Sequence, residues 1–492
     1  MELLQAFRFA ISSETGINFD HVGLNTPFAD LGIDPLMAIS ILEIVQHGTG
    51  LEFPASLFRD CNNISEIQET LSYCANIHGS SKIFPAAARH CPCLAKPTNR
   101  RILTERIGHS LCSPHRPLVG EIFRECDHLV GQFAAETGVD DFWTNVYPAQ
   151  RQLVLAYIVE AFARLGCVLD NEPPGTALSS PSGILAKHGR LVNALIDILT
   201  DGGLVERRSG DQVVRTSKPV DSTPSALLYE RLIQSRPLHA KTHGLLNITG
   251  PCLAECLTGT ADPIKLLFGR STSRDLLEEF YTNAPMSVAA SKHLSTLFRR
   301  VFSEAINGNE CVEILEVGAG FGGTTKFVLD MLVDARIAFR YTFTDVSPSF
   351  FKAAKNRYAS LPNLAGCIEY EVLDIEKTPP EKFLGRFHAV LSTNCIHATN
   401  DLTVSSTNVR KLLRDGGFFA LVEFTTRLYW LDLVFGLLEG WWLFKDGREH
   451  CIVDGSYWKA SLEAAGFNNV LWSGTIVDGK LPNPQVIVAC TE

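Results

Sequence analysis

The second half of the chain alternates short apolar runs with stretches of helical spacing. Apolar runs bounded by turn residues are typical of buried strands, whereas a hydrophobic period near 3.6 residues is typical of helices. Five strands are predicted in this way, at residues 312–315, 339–344, 368–373, 387–393 and 417–422. A helix at residues 326–333 is predicted to follow the first strand. This order predicts an α/β domain, residues 301–492, built on a doubly wound sheet.

The N-terminal residues follow a helical pattern of their own. Three amphipathic segments, at residues 3–11, 36–45 and 64–71, predict a small α-helical bundle within residues 1–76. The residues after it are rich in Ser, Pro, Ala and basic side chains and show no sustained period. Such a composition favours flexibility, so residues 77–113 are expected to form a linker.

The middle of the chain, residues 114–300, is also predicted to be helical. Strongly apolar helical faces occur at residues 153–165 and 191–199, and a glycine-bounded hairpin follows at residues 201–215. A helix followed by such a hairpin is typical of a winged helix. We therefore expect a helical, winged-helix-like subdomain that precedes the α/β domain and serves as a lid on its substrate side.

A glycine-rich turn directly follows the first predicted strand. Gly318, Gly320 and Gly322 have no Cβ where the backbone turns sharply, and the next helix presents free N–H groups to a ligand. With Gly323 the turn fits the dinucleotide pattern, and with Glu316 it fits the pattern of S-adenosylmethionine (SAM) enzymes. The turn predicts a cofactor site and leaves these two cofactors open.

Polar residues at the ends of the next strands extend this candidate site. Asp345 ends the second strand, where a carboxylate can accept both hydroxyls of a ribose. Asp374 ends the third strand and suits an adenine amino group, and Asn394 follows the fourth strand at the same edge. An aspartate at a strand end often only caps a turn. Together with Glu316 and the three glycines of the turn, these residues favour cofactor binding.

The fourth and fifth strands carry a histidine and a glutamate close to their carboxyl ends. His397 follows the fourth strand and Glu423 ends the fifth. Neighbouring strands of a doubly wound sheet lie about 4.8 Å apart, so the two side chains are expected to meet beside the cofactor crevice. A carboxylate orients an imidazole and increases its basicity, which suits a general base. The alternative, a structural histidine and a glutamate that caps a strand end, is equally compatible with the spacing.

At these residues the chain resembles the C-methyltransferase domain of fungal non-reducing polyketide synthases. The resemblance runs from about residue 114 to the C-terminus and rests on these motifs: Glu316-Val-Gly-Ala-Gly-Phe-Gly-Gly-Thr-Thr, Leu373-Asp-Ile-Glu, Ser392-Thr-Asn-Cys-Ile-His-Ala-Thr, Leu421-Val-Glu and Leu433-Val-Phe-Gly-Leu-Leu-Glu-Gly-Trp-Trp-Leu-Phe. It implies a class I, Rossmann-like methyltransferase that uses SAM and transfers its methyl group to the α-carbon of a β-ketoacyl thioester.

The resemblance also implies roles for individual side chains. His397 matches the base that removes the α-proton, and Glu423 matches its partner. Tyr281, within Phe280-Tyr-Thr-Asn-Ala-Pro-Met, matches an aromatic residue that closes over the pocket. The aromatic residues Trp441, Trp442 and Phe444 are candidates for a pocket wall, although aromatic residues at helical spacing are more often plain core.

The N-terminal bundle resembles an acyl carrier protein. The resemblance rests on Phe28-Ala-Asp-Leu-Gly-Ile-Asp-Pro-Leu-Met-Ala-Ile-Ser, in which Pro35 stands where the family has the serine that carries phosphopantetheine. Proline is tolerated in a first helical turn, so the fold is expected to survive while the attachment point is lost. Ser40 is interpreted as an ordinary surface serine. The bundle is therefore predicted to be a pseudo-carrier, and the substrate is expected on a separate, functional carrier among other polyketide synthase domains.

Charge and composition narrow the classes of function. The 492 residues include 44 basic and 54 acidic side chains, a net charge of −10, with no dense basic stripe on the winged-helix-like segment. This balance argues against nucleic acid as a partner. Residues 428–444 are apolar but contain Asp432 and Glu439, so a membrane span is not expected, and no signal peptide or metal site is apparent. The 14 irregularly spaced cysteines suggest reduced thiols in the cytoplasm, and Cys395 is interpreted as a packing residue.

Three other functions are compatible with parts of the pattern. An O-methyltransferase acting on a phenol would use the same cofactor residues, and a non-catalytic domain would only organise a multienzyme through its pseudo-carrier. An NAD-dependent dehydrogenase would use the other glycine frame. The chain has no ketosynthase signature and has the appearance of a didomain taken from a larger synthase.

Overall fold

A computed structural model gives the fold of the chain. It describes residues 3–77, except 19, 20, 29, 52 and 54–56, and residues 118–491, except 210, 211, 270, 305–310, 360, 362, 363 and 365. The predicted linker, apart from residue 77, lies outside the described residues.

The N-terminal module is the predicted helical bundle. Its helices are α1 (Leu3–Thr15), α2 (Pro35–Thr49), the short α3 (Leu57–Asp60) and α4 (Ile64–Ile77). Aromatic residues fill part of its core, with the Phe28 and Phe58 ring centroids 4.5 Å apart. The bundle agrees with the prediction except for α3, whose four residues are too few to show a helical period of apolar residues.

The start of helix α2 explains how proline is accommodated at the carrier position. The Asp34 Oδ1 atom accepts hydrogen bonds from the backbone N–H groups of Leu36 and Met37, both at 2.8 Å, and so caps the helix. Pro35 is the first helical residue, where its missing N–H would have had no helical partner. Ser40, expected at the surface, is buried.

The middle of the chain forms a helical subdomain with a two-stranded wing. Strands β1 (Val205–Arg208) and β2 (Gln212–Arg215) pair antiparallel after helix α8, as the hairpin prediction requires. Among the described residues of this region, the α-helices are α5 (Val119–Asp127), α6 (Val130–Thr137), α7 (Tyr147–Arg164), α8 (Gly189–Asp201), α9 (Ser225–Ser235), α10 (Ala240–Thr249), α11 (Leu253–Thr258), α12 (Pro263–Phe268), α13 (Ser271–Asn283) and α14 (Pro285–Glu304).

The C-terminal domain is a seven-stranded sheet in the order β5-β4-β3-β6-β7-β9-β8. Its strands are β3 (Val312–Val317), β4 (Phe339–Asp345), β5 (Ile368–Val372), β6 (Phe387–Thr393), β7 (Leu413–Glu423), β8 (Asn469–Trp472) and β9 (Gln485–Cys490). Strands β3 to β7 are parallel, while β9 is antiparallel to both β7 and β8. The helices are α15 (Gly323–Asp334), α16 (Ser349–Ala359), α17 (Leu402–Leu412), α18 (Tyr429–Val434) and α19 (Gly455–Ala464).

The sheet is buried on both faces, as the continuous apolar strands predict. Successive residues of β3 belong to different cores: Ile314 packs on one face and Leu315 on the other. The order of strands reverses between β3 and β6, which opens a crevice at their carboxyl ends. Strands β6 and β7 are direct neighbours, with Thr393 opposite Val422, which confirms the adjacency predicted for the fourth and fifth strands.

The aromatic segment at residues 428–444 joins the core of the helical subdomain. Trp430, Leu433 and Trp441 from this segment pack in the same buried cluster as residues of helix α7. Within the described part of the chain, no helix combines the length and the apolar character needed to cross a membrane.

Candidate active site

A cavity of about 490 Å³ opens at the carboxyl ends of β3, β4 and β6. Its size is in the range of sites that hold cofactors and small ligands. Most of the predicted site residues line this cavity: Tyr281, Glu316, Gly318, Gly320, Asp345, Asp374 and Asn394. The lining does not include the other three, Gly322, His397 and Glu423. Except for Gly322, the predicted cofactor residues thus line one cavity, and the predicted base pair lies beside it.

The glycine turn is shaped by backbone angles that favour glycine. Gly318 has φ +66°, and a Cβ at this position would lie 2.2 Å from the Sγ atom of Cys395. Gly320 has φ +51°, and its N–H donates to the Oδ2 atom of Asp345 at 3.0 Å. Gly322 has φ +73° and precedes helix α15. The three glycines allow the chain to turn from β3 into α15, and two of them, Gly318 and Gly320, line the cavity.

Gly323 has a role that the sequence patterns do not reveal. A Cβ on Gly323 would lie 2.4 Å from the backbone oxygen of Tyr281, at the end of helix α13. The absence of a side chain here lets α13 approach the start of α15, and this approach places Tyr281 at the cavity. The dinucleotide pattern includes Gly323, but it gives no sign of this contact with a distant helix.

Asp345 is tied to the glycine turn through its carboxylate. Its Oδ2 atom accepts the Gly320 N–H, and its Oδ1 atom accepts the Ser347 N–H at 2.9 Å. Burial raises the pKa of Asp345, and these N–H groups oppose the shift. The carboxylate is therefore fixed in orientation at the end of β4, in the cavity wall.

Glu316 is buried beneath the turn and is 1% exposed. Its Oε2 atom accepts hydrogen bonds from the hydroxyl groups of Thr325 at 2.5 Å and Tyr341 at 2.6 Å. Burial raises the pKa of Glu316 to about 7, even though both hydroxyl groups favour the charged form. Glu316 thereby connects β3 with β4 and α15, in addition to its place in the cavity lining.

Asp374 and Asn394 complete the polar part of the lining. Asp374 accepts the Glu376 N–H at 3.1 Å and pairs with the exposed Lys377 at 2.9 Å. Asn394 adopts φ +47°, which is uncommon for a residue with a side chain. Its side-chain oxygen is buried and has no hydrogen-bond partner in the described portion of the chain. Buried acceptors are normally paired, so this oxygen is suited to a donor group on a ligand.

His397 and Glu423 form a close, buried pair. The His397 Nδ1 atom lies 2.6 Å from Glu423 Oε2, and the two residues are 6% and 0% exposed. The other carboxylate oxygen, Oε1, accepts backbone N–H groups from Cys395 at 3.2 Å, Ile396 at 3.1 Å and His397 at 3.4 Å. The carboxylate therefore orients the imidazole, and the Nε2 atom keeps no hydrogen-bond partner in the part of the chain that the structure describes.

Trp441 borders the imidazole on another side. Its ring meets that of His397 edge-on, with centroids 5.4 Å apart, and its Nε1–H donates to Asp432 at 3.1 Å. Leu443 lines the cavity, whereas Trp442 and Phe444 do not. Trp441 is not part of the lining either, so none of the three aromatic residues predicted to wall the pocket lines this cavity; Trp441 packs against the imidazole instead.

Tyr281 and Cys395 lie near the pair and are both neutral. Burial raises the pKa of the Tyr281 hydroxyl, and the nearby Cys395 and Glu423 add to the effect. The Tyr281 ring faces that of Phe321, with centroids 6.2 Å apart. Burial also raises the pKa of the Cys395 thiol. A high thiol pKa disfavours the nucleophilic thiolate, in agreement with a packing role.

Three segments of the chain match known families. Residues 315–419 match a methyltransferase domain, residues 124–212 match the helix-turn-helix domain of methyltransferases, and residues 5–71 match the phosphopantetheine attachment site family. The matched segments lie within the α/β domain, the winged helical subdomain and the N-terminal bundle, respectively.

Relatives that share much of the sequence are fungal. The chain is 46% identical to the polyketide methyltransferase ustM of Ustilaginoidea virens over 100% of both chains. It is 52% identical to the non-reducing polyketide synthase pkbA of Emericella nidulans over 69% of this chain and 13% of the synthase. The 5-methylorsellinic acid synthase of Aspergillus terreus is 48% identical over 69% of this chain and 13% of its own. The chain thus spans only a small part of these synthases.

Solved structures with the same fold include methyltransferases of polyketide synthases. The CMeT domain of the citrinin polyketide synthase superposes with a TM-score of 0.72 and 32% identity, over 77% of this chain and 100% of that domain. The trans-methyltransferase CalH, solved with SAH, gives a TM-score of 0.52 and 25% identity over 70% and 89% of the two chains. These likenesses favour SAM over NAD, which removes the dehydrogenase alternative. The chain belongs to the polyketide methyltransferase family and is a SAM-dependent C-methyltransferase.

Proposed function

We propose that the protein methylates the α-carbon of a β-ketoacyl thioester during polyketide biosynthesis, with His397 as the general base and Glu423 as its partner. The observation that carries the proposal is the 2.6 Å contact between His397 and Glu423 beside the cofactor cavity. The substrate is bound to a separate, functional acyl carrier protein. Other polyketide synthase domains are further partners, and the reaction takes place in the cytoplasm. The chain is divided into a pseudo-carrier (1–76), a linker (77–113), a lid (114–300) and the SAM-binding core (301–492).

The chemistry starts with loss of a proton from the α-carbon. This carbon lies between a ketone and a thioester, and both groups accept the electron pair left behind. The Nε2 atom of His397 takes the proton, and Glu423 stabilises the imidazolium through Nδ1. SAM, when bound, supplies an electrophilic methyl group. Transfer of this methyl group to the carbanion would form a C–C bond and break the C–S bond, with S-adenosylhomocysteine (SAH) as the leaving group.

The cavity residues are assigned to the cofactor as a set. Gly318 and Gly320 leave room for it, Gly322 allows the turn into helix α15, and Asp345 is the acceptor for its ribose. Asp374 accepts a hydrogen bond from the adenine amino group, and the side-chain oxygen of Asn394 is a further acceptor. Glu316 holds the strand and helix that frame the turn.

Tyr281 closes the pocket beside the base pair. Its hydroxyl stays protonated because burial raises its pKa, so it acts as a donor and not as a second base. Its ring packs against Phe321 of the glycine turn, a position from which it limits the access of water.

Proton removal can be tested separately from methyl transfer. In D2O, with SAH in place of SAM, the protein is expected to exchange the α-protons of a β-ketoacyl pantetheine thioester faster than buffer alone. Mass spectrometry of the recovered thioester measures the exchange. No acceleration by the wild-type protein, in the presence of bound SAH, would contradict the assignment of a general base and favour an O-methyltransferase or a scaffold.

Replacement of Glu423 with glutamine is expected to lower kcat by roughly 10- to 100-fold, less than the full contribution of a general base, because the imidazole itself remains. Glutamine keeps the size of the side chain but removes the charge that stabilises the imidazolium. Initial rates with labelled SAM measure the effect. The control is Glu125→Gln, which removes an exposed carboxylate paired with Arg300 on the surface of helix α5. Equal rates in Glu423→Gln and wild type would show that the pair does not act in catalysis.

The N-terminal module is expected to resist loading with phosphopantetheine. Pro35 supplies no hydroxyl group, and Ser40 on the same helix is buried. Incubation with coenzyme A and a phosphopantetheinyl transferase, followed by intact-mass analysis, should leave the wild-type mass unchanged. Pro35→Ser is expected to gain one arm, whereas Pro35→Ala is the matched control that gains none. A loaded wild-type protein would contradict the pseudo-carrier proposal.

A further inference from the structure

The turn that carries His397 is held from its far side by a buried arginine. Arg448 lies beyond the aromatic segment, and its side chain is 0% exposed. Its Nη1 atom donates to the backbone oxygen of His397 at 2.9 Å, and its Nη2 atom donates to that of Thr399 at 2.7 Å. One guanidinium group therefore binds the backbone on both sides of Ala398, which lines the cofactor cavity.

Arg448 is itself held rigidly. Its Nε atom donates to Asp446 at 2.8 Å, and its guanidinium lies over the Phe444 ring, 5.1 Å from the centroid. Burial would raise the pKa of Asp446, but the Leu402 N–H and the Arg448 guanidinium hold it below its usual range. Because Asp446 accepts the Leu402 N–H at 3.0 Å, the same carboxylate also fixes the start of helix α17.

A backbone contact adds to this arrangement. The Lys445 N–H donates to the Asn400 oxygen at 2.7 Å. The segment at residues 445–448 thus contacts the turn at residues 397–402 along its whole length. The Glu423 carboxylate accepts the His397 N–H at the start of this turn and the N–H groups of the two residues before it, Cys395 and Ile396. The position of the imidazole depends on both supports, one at each end of the turn.

We infer that Arg448 is a positioning residue for His397, and that it keeps the imidazole aligned with Glu423 and with the neighbouring cofactor cavity. This inference rests on the proposed role of His397 as the base. Arginine suits the task because its planar group presents several fixed donors, whereas lysine offers a single point charge that cannot span both carbonyl groups in the same geometry. Catalysis is sensitive to such alignment, since a displacement of about 1 Å costs roughly 100-fold in rate.

The test compares Arg448→Lys with Arg215→Lys. Arg215 is a matched control because it is also buried and donates to backbone oxygens, those of Leu169, Leu204 and Lys218, but in the wing of the helical subdomain. For each variant, kcat, KM for a β-ketoacyl pantetheine thioester and the SAM dissociation constant are measured. NMR with 15N-labelled histidine follows the Nδ1–H of His397, assigned through its absence in His397→Ala.

Arg448→Lys is expected to lower kcat by about 10- to 100-fold. We expect KM and SAM affinity to change little, and the His397 N–H signal to shift or broaden. Arg215→Lys is expected to keep both kcat and the signal. Unchanged kcat and signal in Arg448→Lys would overturn the inference, and so would an equal loss of kcat in Arg215→Lys or an equal fall in SAM affinity.

A milder variant covers the case in which Arg448→Lys does not fold. Asp446→Asn removes the charge that fixes Arg448 and is expected to lower kcat and alter the His397 signal in the same direction. No change in either would overturn the inference. A wild-type protein without activity would contradict the proposed function instead, and the NMR comparison would still decide whether Arg448 positions the imidazole.

Discussion

His397→Ala is expected to lower kcat by roughly 10²–10⁴-fold, the usual contribution of a general base. The Nε2 atom has no partner in the described residues and is the proposed proton acceptor, while Nδ1 is held by Glu423 at 2.6 Å. SAM affinity should stay within about twofold of wild type, because a residue that acts on the substrate contributes to kcat and not to cofactor binding. Rates with labelled SAM and calorimetry of SAM binding measure the two effects.

The control for this variant is His128→Ala. His128 is exposed and follows helix α5, so its removal should leave both rate and SAM affinity unchanged. Loss of SAM binding in His397→Ala would mean that the histidine is structural. A rate near that of wild type would mean that another group removes the proton.

Gly318→Ala is expected to weaken SAM binding by about 100-fold, and kcat/KM for SAM should fall with it. The added methyl group would lie 2.2 Å from the Sγ atom of Cys395, at a backbone φ of +66°. A positive φ costs a residue with a side chain about 1–2 kcal/mol, and a forced contact typically adds about 1–3 kcal/mol. Either the turn or Cys395 must shift to relieve this contact, and both line the cavity. Calorimetric titration with SAM measures the loss.

Gly189→Ala is the matched glycine control. A Cβ at Gly189, at the start of helix α8, would meet nothing within 4 Å, and its φ of −55° is helical. This variant should bind SAM normally and fold at least as stably, because alanine is the better helix former. Normal SAM binding in Gly318→Ala would show that the glycine turn does not form the cofactor site.

Strong hydrophobic patterns made the core of the fold predictable. Strands buried on both faces gave continuous apolar runs, and the predicted bounds of β6 match those observed, Phe387–Thr393. Strands β8 and β9 were not predicted: β8 is short and partly exposed, whereas β9 is a fully buried run that its apolar sequence could have indicated. The pairing of His397 with Glu423 was foreseeable because neighbouring parallel strands align their carboxyl ends.

Contacts between distant segments were not predictable from local patterns. The approach of Tyr281 to Gly323 depends on how helix α13 packs, and the two positions are far apart in sequence. The bonds from Arg448 to the His397 turn likewise cross from one segment to another. The position of an arginine shortly after an aromatic segment does not indicate which carbonyl groups it binds. Burial of Ser40 was missed for the same reason, since exposure depends on tertiary packing.

The position of the transferred methyl group distinguishes methylation of carbon from methylation of oxygen. The protein is incubated with methyl-labelled SAM and a β-ketoacyl thioester on pantetheine, and in parallel on a functional carrier protein, and fragmentation mass spectrometry then locates the label. We predict label on the α-carbon, and its loss in His397→Ala. Label on an oxygen atom, or no transfer from bound SAM to either form of the substrate, would contradict the account.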